Sequence, residues 1–140
     1  MLFQECICFS FGKVSRQMTR VYRERLAQYG LSQPQFFLLI ALYEKNNILI
    51  TQLAEKVALD KSTLTGILDR LERDGLVTRQ AKPGDRRAIY VRLTERALAM
   101  RDDLTHIYEA TNQQFLSRLT GQEREVLDTV LIKLEGTDDD

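Results

Sequence analysis

The sequence lacks tryptophan, has only two cysteines and one histidine, and contains no long apolar run. No stretch reaches the roughly 18 apolar residues of a membrane span, so no membrane partner is expected. Cys6 and Cys8 are too few and too close together for a disulfide framework, which favours a reducing, cytoplasmic location. The apolar start, 1–11, has neither a basic segment nor a small-residue cleavage site, so no signal peptide is expected.

Motifs for catalysis and for cofactors are missing as well. There is no glycine-rich phosphate loop, nucleophile elbow or metal-binding motif, and no cluster of ligands surrounds the lone histidine, His106. We therefore expect no enzyme activity, no catalytic residue, no metal and no cofactor. The length of 140 residues and the hydrophobic content of 44% fit one ordinary globular domain.

The formal net charge is zero, yet the basic residues are concentrated in one segment. Residues 76–96 contain six basic side chains and two acidic ones, whereas acidic residues gather at Glu135 and 138–140. The six basic residues are Arg79, Lys82, Arg86, Arg87, Arg92 and Arg96. Because DNA responds to the local potential and not to the total charge, this segment is a candidate DNA-binding surface.

The segment 85–94 reads D-R-R-A-I-Y-V-R-L-T and predicts part of a charged β-hairpin. Arg86 and Arg87 are expected at the tip of a short loop. Alternating apolar residues predict strands over 77–80 and 88–93 on either side of that loop. A hairpin that carries arginines at its tip is typical of the wing of a winged helix-turn-helix, which reaches the DNA backbone or minor groove.

Two short helices precede the hairpin. The first is predicted over 52–57 with Thr51 as its cap, and the second over 61–73 with Asp60 as its cap and Gly75 at its end. Two helices of this size joined by a few residues form a helix-turn-helix, whose second helix enters the DNA major groove. We call this second helix the reading helix.

Longer amphipathic helices flank this reader. Helical periodicity covers 4–29, a length of roughly 39 Å that exceeds what a small core can cover. Ser32 begins the next helix with a capping box, and 48–50 is predicted as a strand. A further helix is predicted over 94–119, and Thr120 caps the last one. The long helices at both ends are therefore left to form a dimer.

The predicted fold is mainly α with a small β-hairpin wing. It comprises a winged helix-turn-helix flanked by long N- and C-terminal dimerisation helices. The expected boundaries are an N-terminal dimerisation helix over 1–30, a DNA-binding domain over 31–94, and C-terminal dimerisation helices with an acidic tail over 95–140. All three parts are expected to form one compact protomer.

The order and spacing of these motifs resemble the MarR family of bacterial transcriptional regulators. The resemblance is carried by L-D-K-S-T-L-T-G-I-L-D-R-L-E-R-D-G-L-V-T-R at 59–79, by the wing at 85–94, and by G-L-S-Q-P-Q-F at 30–36. It implies a homodimer whose two reading helices meet adjacent major grooves of a near-palindromic operator in double-stranded DNA. It also implies repression that is relieved by a small apolar or aromatic ligand between the dimer helices and the reader.

The first turns of the reading helix carry small and hydroxyl-bearing side chains, which let a helix lie deep in the groove. The alternative is that Ser62 and Thr63 only support the helix cap. Asp69 is expected to pair with a neighbouring arginine. Since no Arg, Asn or Gln begins this helix, sequence discrimination is expected to depend partly on DNA shape. The predicted DNA contacts on the helix are Lys61, Ser62, Thr63, Thr65, Gly66 and Arg70.

The wing arginines have unequal predicted roles. The resemblance implies that the arginine two residues after the wing aspartate, here Arg87, enters the minor groove or pairs with Asp60. Arg86 and Lys82 are then predicted to contact phosphates, each adding to the salt dependence of binding. The alternative is a solvated turn without a DNA role.

Cys8 has two open interpretations. Cys8-Phe9 matches a peroxide-reactive Cys-Phe pair in the organic-hydroperoxide-sensing branch of the family, and Tyr22 matches one tyrosine that holds the thiolate there. Gly12 and Gln33 replace two further tyrosines, and a thiol without such partners is expected to react slowly. The other interpretation is a buried structural cysteine.

The predicted function is therefore a ligand-responsive DNA-binding transcriptional regulator. One alternative is a thiol-based organic peroxide sensor of the same fold. The other is a winged-helix protein-interaction module without DNA binding, against which the basic excess over 76–96 argues. Aromatic residues that could line a ligand pocket, or simply pack in the core, are Phe11, Tyr22, Phe37, Tyr43 and Tyr108.

Overall fold

The computed structural model describes residues 1–136, which are mainly helical with one small sheet. Short 3-10 turns cover Phe3–Glu5 and Ala27–Tyr29. The predicted fold class is confirmed. In chain order the other elements are α1 (Ile7–Leu26), α2 (Gln33–Glu44), β1 (Ile48–Leu49), α3 (Ile50–Lys56), α4 (Lys61–Arg73), β2 (Val77–Lys82), β3 (Asp85–Leu93), α5 (Glu95–Ala99), α6 (Arg101–Leu116) and α7 (Gly121–Glu135).

The core is built around α2, which is apolar on nearly all sides. Phe36 and Leu39 of α2 are fully buried, and Leu26 of α1, Leu68 of α4 and Leu104 of α6 are buried around them. Because α2 contacts α1, α4, α6 and β3, it joins the reader to the long helices. One hydrophobic cluster therefore holds the protomer together.

Sequence signals placed the start of α2 correctly. Oγ of Ser32 accepts a hydrogen bond from the backbone N–H of Gln35, and Oε1 of Gln35 accepts one from the backbone N–H of Ser32. This reciprocal capping box satisfies two of the unpaired donors at the helix start. Thr120 and Glu123 form the same motif at the start of α7, as predicted.

The single helix predicted over 4–29 is wrong at both ends. The chain begins with the turn Phe3–Glu5, and Cys6 then takes an extended conformation that starts α1 at Ile7. At the other end α1 tightens into the turn Ala27–Tyr29. Gly30, with φ of 65°, ends this turn because the left-handed region suits glycine.

The single helix predicted over 94–119 is wrong in its middle. Thr94 caps α5 through Ala97, as expected, but α5 is only five residues long. Met100 then breaks the helix. Its N–H donates to the carbonyl of Ala97 at 3.2 Å, the tighter pattern of a 3-10 turn, and α6 begins at Arg101.

The short strand and helix before the reading helix also differ from the prediction. β1 ends at Leu49, one residue earlier than expected, and Ile50 already begins α3. Leu49 is therefore the N-cap residue of α3 and makes no side-chain cap bond, so the predicted cap by Thr51 is wrong. Ile50 is buried, and packing rather than capping sets the start of this helix.

The hairpin strands are longer than predicted. β3 lies between β1 and β2 in an antiparallel sheet, with Val77 opposite Leu93 and an irregularity at 81–82. The turn consists of 83–84, with Gly84 at φ of 83°. Arg86 and Arg87 are consequently the second and third residues of β3, and not loop residues. The strands extend almost to the tip of the wing, but residues 86–88 have no partner in the register.

In residues 1–136, no helix combines the length and the apolar character needed to cross a membrane. The predicted polar tail, 135–140, lies outside the described residues from position 137 onward. The last described helix, α7, ends at Glu135.

Candidate nucleic-acid interface

Asp60 fixes the first turn of the reading helix, α4. Its Oδ1 accepts a hydrogen bond from the backbone N–H of Thr63 at 2.7 Å, and its Oδ2 accepts one from Oγ1 of Thr63 at 3.1 Å. The backbone hydrogen bond from Thr63 is the main reason that the pKa of Asp60 lies below its ordinary value. Asp60 is therefore a charged N-cap, which also suits the positive end of the helix dipole.

The inner face of α4 anchors it to the core. Leu64, Leu68 and Leu71 are fully buried. Their spacing of four and three residues leaves the opposite face of the helix turned to solvent. That face carries five exposed residues and one half-buried residue of the predicted set, namely Lys61, Ser62, Thr63, Gly66 and Arg70 with half-buried Thr65.

The hydroxyl groups on this face are not equivalent. Thr63 donates to Asp60, and Oγ1 of Thr65 donates to the carbonyl of Lys61 at 2.8 Å. Thr63 thus supports the cap, as the alternative interpretation held, and each hydroxyl keeps acceptor capacity. A β-carbon built on Gly66 meets no atom within 4 Å, so nothing in the protomer requires a glycine there.

The wing presents Lys82, Arg86 and Arg87 as exposed side chains beside α4. The backbone N–H of Arg87 donates to Oδ1 of Asp85 at 3.0 Å, which shapes the start of β3. A hollow of about 210 Å³ lies between the wing and the helices, and Arg87 and Lys61 both line it. The structure therefore places cations of the wing and of the reading helix on one side of the molecule.

The predicted pairing of Arg87 with Asp60 is not formed. The salt bridges within residues 1–136 join Lys56 to Glu44 and Arg79 to two acidic residues of α4. The carboxylate of Asp60 instead accepts both of its hydrogen bonds from Thr63. The other predicted role of Arg87, entry into the minor groove, stays a prediction.

The arginine that pairs with Asp69 in the structure is Arg79. Nη2 of Arg79 lies 2.6 Å from Oδ1 of Asp69, and Nε lies 3.1 Å from Oε2 of Glu72. The prediction that Asp69 pairs with a neighbouring arginine is confirmed. The participation of Glu72 was not foreseen, although its place three residues after Asp69 on the helix was a usable signal.

In the protomer Cys8 is exposed and Cys6 is half-buried, so the packing of one protomer does not make Cys8 a buried structural cysteine. Tyr22 is buried against the rings of Phe36 and Phe37, and burial raises its pKa. Cys8 and Tyr22 lie fourteen residues apart on α1, roughly 21 Å along the axis. They therefore do not meet within one protomer.

Two polar links were not predicted, one between the reader and α5 and one between the long helices α1 and α6. The hydroxyl of Tyr43 donates to the carbonyl of Ala97 at 2.6 Å, and burial raises the pKa of Tyr43 to about 12. The guanidinium of Arg25 donates to Thr111 and to Gln114, both at 2.6 Å. No local sequence signal reveals these bonds, because their partners are at least 54 positions apart.

The helices α1, α6 and α7 share a large apolar surface, which the sequence predicted only in part. No residue of α7 is buried, and Val126 and Ile132 expose 60% and 72% of their surface. A groove of about 730 Å³ separates α7 and the end of α6 from Val14 and Met18 of α1. Helical periodicity indicates that these faces are apolar but not that the protomer leaves them uncovered.

Within residues 1–136, no group of three or more His, Cys, Asp or Glu side chains could hold a metal ion.

Comparisons with known proteins agree with this architecture. The MarR family model matches residues 31–89, which span α2 to the first half of β3. The organic hydroperoxide resistance transcriptional regulator of Bacillus subtilis is 31% identical over 107 residues, which is 76% of this chain and 73% of that protein. The chain belongs to the MarR family. The resemblance in the motifs is thereby confirmed.

Other relatives connect this MarR-family protein to transcription and to DNA. The HTH-type transcriptional regulator MgrA of Staphylococcus aureus is 29% identical over 104 residues, covering 74% of this chain and 71% of that one. A mutant MarR from Escherichia coli, complexed with operator DNA, superposes with a TM-score of 0.82 at 27% identity and covers 96% of this chain and 98% of that one. The protein is a DNA-binding transcriptional regulator, and the alternative of a module without a DNA role is not supported.

Proposed function

We propose that this regulator binds a near-palindromic operator as a homodimer, represses transcription, and is released by a small apolar or aromatic ligand. The observation that carries the proposal is the shared exposed surface of α4 and the wing, where Lys61, Arg70, Lys82, Arg86 and Arg87 lie. A cytoplasmic location and action through binding, without catalysis, belong to the same proposal.

The two parts of this surface have different proposed contacts. The outer face of α4 enters the major groove, where the hydroxyl of Ser62 donates to a base edge or a phosphate oxygen. The hydroxyls of Thr63 and Thr65 already donate within the helix, so they accept hydrogen bonds from base amino groups. Gly66 lets the groove wall approach the helix backbone. Arg70 contacts a phosphate on the same side.

The wing follows the neighbouring backbone. Arg87 inserts into the minor groove, where a narrow groove concentrates negative potential and favours a guanidinium. Arg86 and Lys82 contact phosphates and contribute to salt dependence. Support comes from the place of Arg86 and Arg87 at the exposed start of β3, next to the paired residues Lys82 and Asp85.

The proposed dimer uses the surface formed by the first half of α1 and by α7, which we call the apolar end face. Its exposed apolar residues include Ile7, Val14, Val126, Val130 and Ile132. A helix without a buried residue gains little from packing in its own protomer, so α7 needs a second copy to cover it. The groove beside it, at about 730 Å³, has room for side chains of the partner.

The proposed ligand lodges where the reader meets the long helices. A pocket of about 230 Å³ between α2 and α6 is lined in part by Ile40, Tyr43, Arg101 and Tyr108. Two tyrosine rings and an aliphatic side chain offer contacts for an aromatic molecule, and the charged side chains of Glu44, Arg101 and Glu109 at the same pocket offer contacts for its polar groups. Because α2 belongs to the reader and α6 to the dimer helices, a bound molecule would alter the separation of the two reading heads.

Recovery of DNA tests the proposal directly. The protein is mixed with sheared genomic DNA of its host, and the retained fragments are sequenced. A 30-base-pair duplex that contains the shared sequence is then used for binding measurements (a length chosen for the assay, about three turns of DNA). We expect a near-palindromic motif and a Kd that rises steeply with salt. Arg87→Ala is expected to weaken binding of that duplex roughly tenfold to a hundredfold. Arg23→Ala, an exposed arginine of α1, serves as the matched control. Equal affinity of Arg87→Ala and the unmodified protein would rule out the wing contact.

A thiol-based peroxide response is the second candidate. It is favoured by the exposure of Cys8 and by the name of the Bacillus subtilis relative. Treatment with cumene hydroperoxide is then expected to release the selected duplex, and Cys8→Ser is expected to abolish this release while Cys6→Ser retains it. Unchanged DNA binding after treatment would eliminate this candidate.

A further inference from the structure

Arg79 of β2 lies between two acidic side chains of α4. Nη2 lies 2.6 Å from Oδ1 of Asp69 and 3.4 Å from Oε1 of Glu72, while Nε lies 3.1 Å from Oε2 of Glu72. Asp69 and Glu72 are three residues apart and share one face of the helix. The rigid fork of the guanidinium is therefore held by two carboxylates at once, a geometry that the point charge of a lysine does not reproduce.

The position of Arg79 on β2 gives this contact a mechanical role. Inward-facing residues alternate along the strand, and Val77 is buried, Arg79 is half-buried and Ala81 is exposed. Arg79 is thus the last inward-facing side chain of β2 that packs against the rest of the reader. Beyond it, residues 81–87 are all exposed.

We call the contact of Arg79 with Asp69 and Glu72 the anchor. The distance from the anchor to the wing arginines turns a small rotation of the wing into a larger displacement of their side chains. Arg79 lies opposite Val91 in the sheet, and Arg87 lies four residues before Val91 on β3. The arm from the anchor to Arg87 is therefore about 13 Å long. A rotation of about 10° at the anchor moves its end by about 2 Å, which is enough to separate a hydrogen-bond donor from its acceptor.

We infer that Arg79 is a positioning residue, which fixes the wing relative to the reading helix through Asp69 and Glu72 so that both parts reach DNA together. This inference rests on the proposed contacts of α4 and the wing with DNA. Arg79 acts through Arg86 and Arg87 and does not itself contact a phosphate, because its guanidinium is already shared by two carboxylates.

The sign of the effect of neutralising the two acids separates this role from simple electrostatics. Asp69 and Glu72 lie on the helix that approaches DNA, and a negative charge there repels phosphates. If the acids did nothing else, removing their charges would tighten binding. A positioning role predicts the opposite, because Arg79 loses both partners and the wing loses its orientation.

The central test is the double variant Asp69→Asn with Glu72→Gln. We expect it to bind the selected 30-base-pair duplex about tenfold more weakly, with a slope of log Kd against log salt that falls by no more than about 2, the proposed share of Lys82 and Arg86, since only contacts of the wing are affected. Arg79→Leu is expected to behave alike, and Arg79→Lys to recover part of the affinity. Glu24→Gln with Asp102→Asn removes the same charge from exposed positions elsewhere and serves as the control.

A mutant cycle with the combined Lys82→Ala, Arg86→Ala and Arg87→Ala variant identifies the route of the effect. If Arg79 acts through the wing, the neutralised pair is expected to lose little further affinity in that background. Tighter binding by the neutralised pair, a slope lowered by clearly more than about 2 in the Arg79→Leu variant, or fully additive losses in the cycle would each overturn the inference. If Arg87→Ala binds the duplex as tightly as the unmodified protein, the proposed wing contact is overturned as well. If Arg87→Ala loses affinity as expected, only the inference about Arg79 fails.

Discussion

At the scale of single residues, the reader depends on side chains that hold the backbone of α4 in place. Asp60 binds both the amide and the hydroxyl of Thr63, so one carboxylate orders the whole first turn. Thr94 works similarly at the far end of the hairpin, where Oγ1 donates to the carbonyl of Gly75 at 2.7 Å and accepts from Ala97. Both caps were recognisable in the sequence, because capping is a local interaction between residues three positions apart.

Protonation of Asp60 is expected to loosen the start of α4. The hydrogen bonds from Thr63 lower the pKa of Asp60 in the folded protein below its value of about 3.9 in an unfolded chain. The stabilisation by this cap is therefore complete above that unfolded value and is lost as the pH falls through the lower, folded value. The chemical shift of the Thr63 amide proton, followed by NMR, should report the step. Asp60→Asn keeps an acceptor but does not titrate, and a step that persists in this variant would contradict the assignment.

Gly66→Ala is expected to separate folding stability from DNA binding. The added β-carbon meets no atom within 4 Å, and alanine in a helix interior is favoured over glycine by about 0.5–1 kcal/mol. The thermal midpoint should therefore rise, while affinity for the selected duplex should fall because the methyl group lies on the face proposed to enter the groove. Gly121→Ala, at the start of α7 and also in open space, provides the control. Unchanged DNA affinity in Gly66→Ala would argue against close approach at this position.

At the scale of secondary-structure elements, the wing arginines lie at the start of a strand and not in a loop. The alternation over 88–93 predicted the strands, but β3 begins earlier, at Asp85, which lies opposite Lys82. The long-helix predictions failed at Cys6 and Met100 for a related reason. Hydrophobic periodicity does not register a single residue that leaves helical geometry, and such breaks are decided by how neighbouring elements pack.

Removal of the two outer wing cations is expected to lower the salt dependence of DNA binding. Lys82 and Arg86 are exposed on the ribbon, and each proposed phosphate contact contributes about 0.9 to the slope of log Kd against log salt. Lys82→Ala with Arg86→Ala should therefore reduce the slope by about 2. Fluorescence anisotropy with the selected duplex over a range of salt concentrations measures it. An identical slope in this variant and in the Arg23→Ala control would exclude both contacts.

At the scale of the whole molecule, the reader and the long helices share one hydrophobic cluster. Leu26 of α1, Phe36 of α2 and Leu104 of α6 belong to it. The boundaries 1–30, 31–94 and 95–140 stay a prediction. The three parts are not packed as separate cores, so packing does not mark where one part ends and the next begins. Tyr43 of α2 adds a polar link to Ala97 of α5 across this junction, and Arg25 joins α1 to α6, so displacement of the flanking helices is expected to move the reader with them.

Charges placed on the apolar end face are expected to dissociate the proposed dimer. Val126 and Val130 expose 60% and 37% of their surface and both line the groove beside α7. Two buried carboxylates without partners are costly, so Val126→Glu with Val130→Glu should convert a dimer into a protomer of 16.2 kDa. Sedimentation equilibrium measures the mass, and binding of the palindromic duplex should weaken with it. Leu98→Gln, at an exposed site on α5, is the control, and a monomeric unmodified protein would refute the dimer.

The sequence by itself determined the fold class, the caps at Ser32, Asp60, Thr94 and Thr120, and the reading helix from Lys61 to Arg73, because these follow from local spacing and residue type. Only the tertiary structure decided that Asp60 binds Thr63 and not Arg87, that Glu72 joins Asp69 at Arg79, and that Cys8 is exposed. These contacts depend on how the hairpin twists against α4 and on which helix faces remain uncovered. Such distances are set by packing across the fold, which no local pattern of residues encodes.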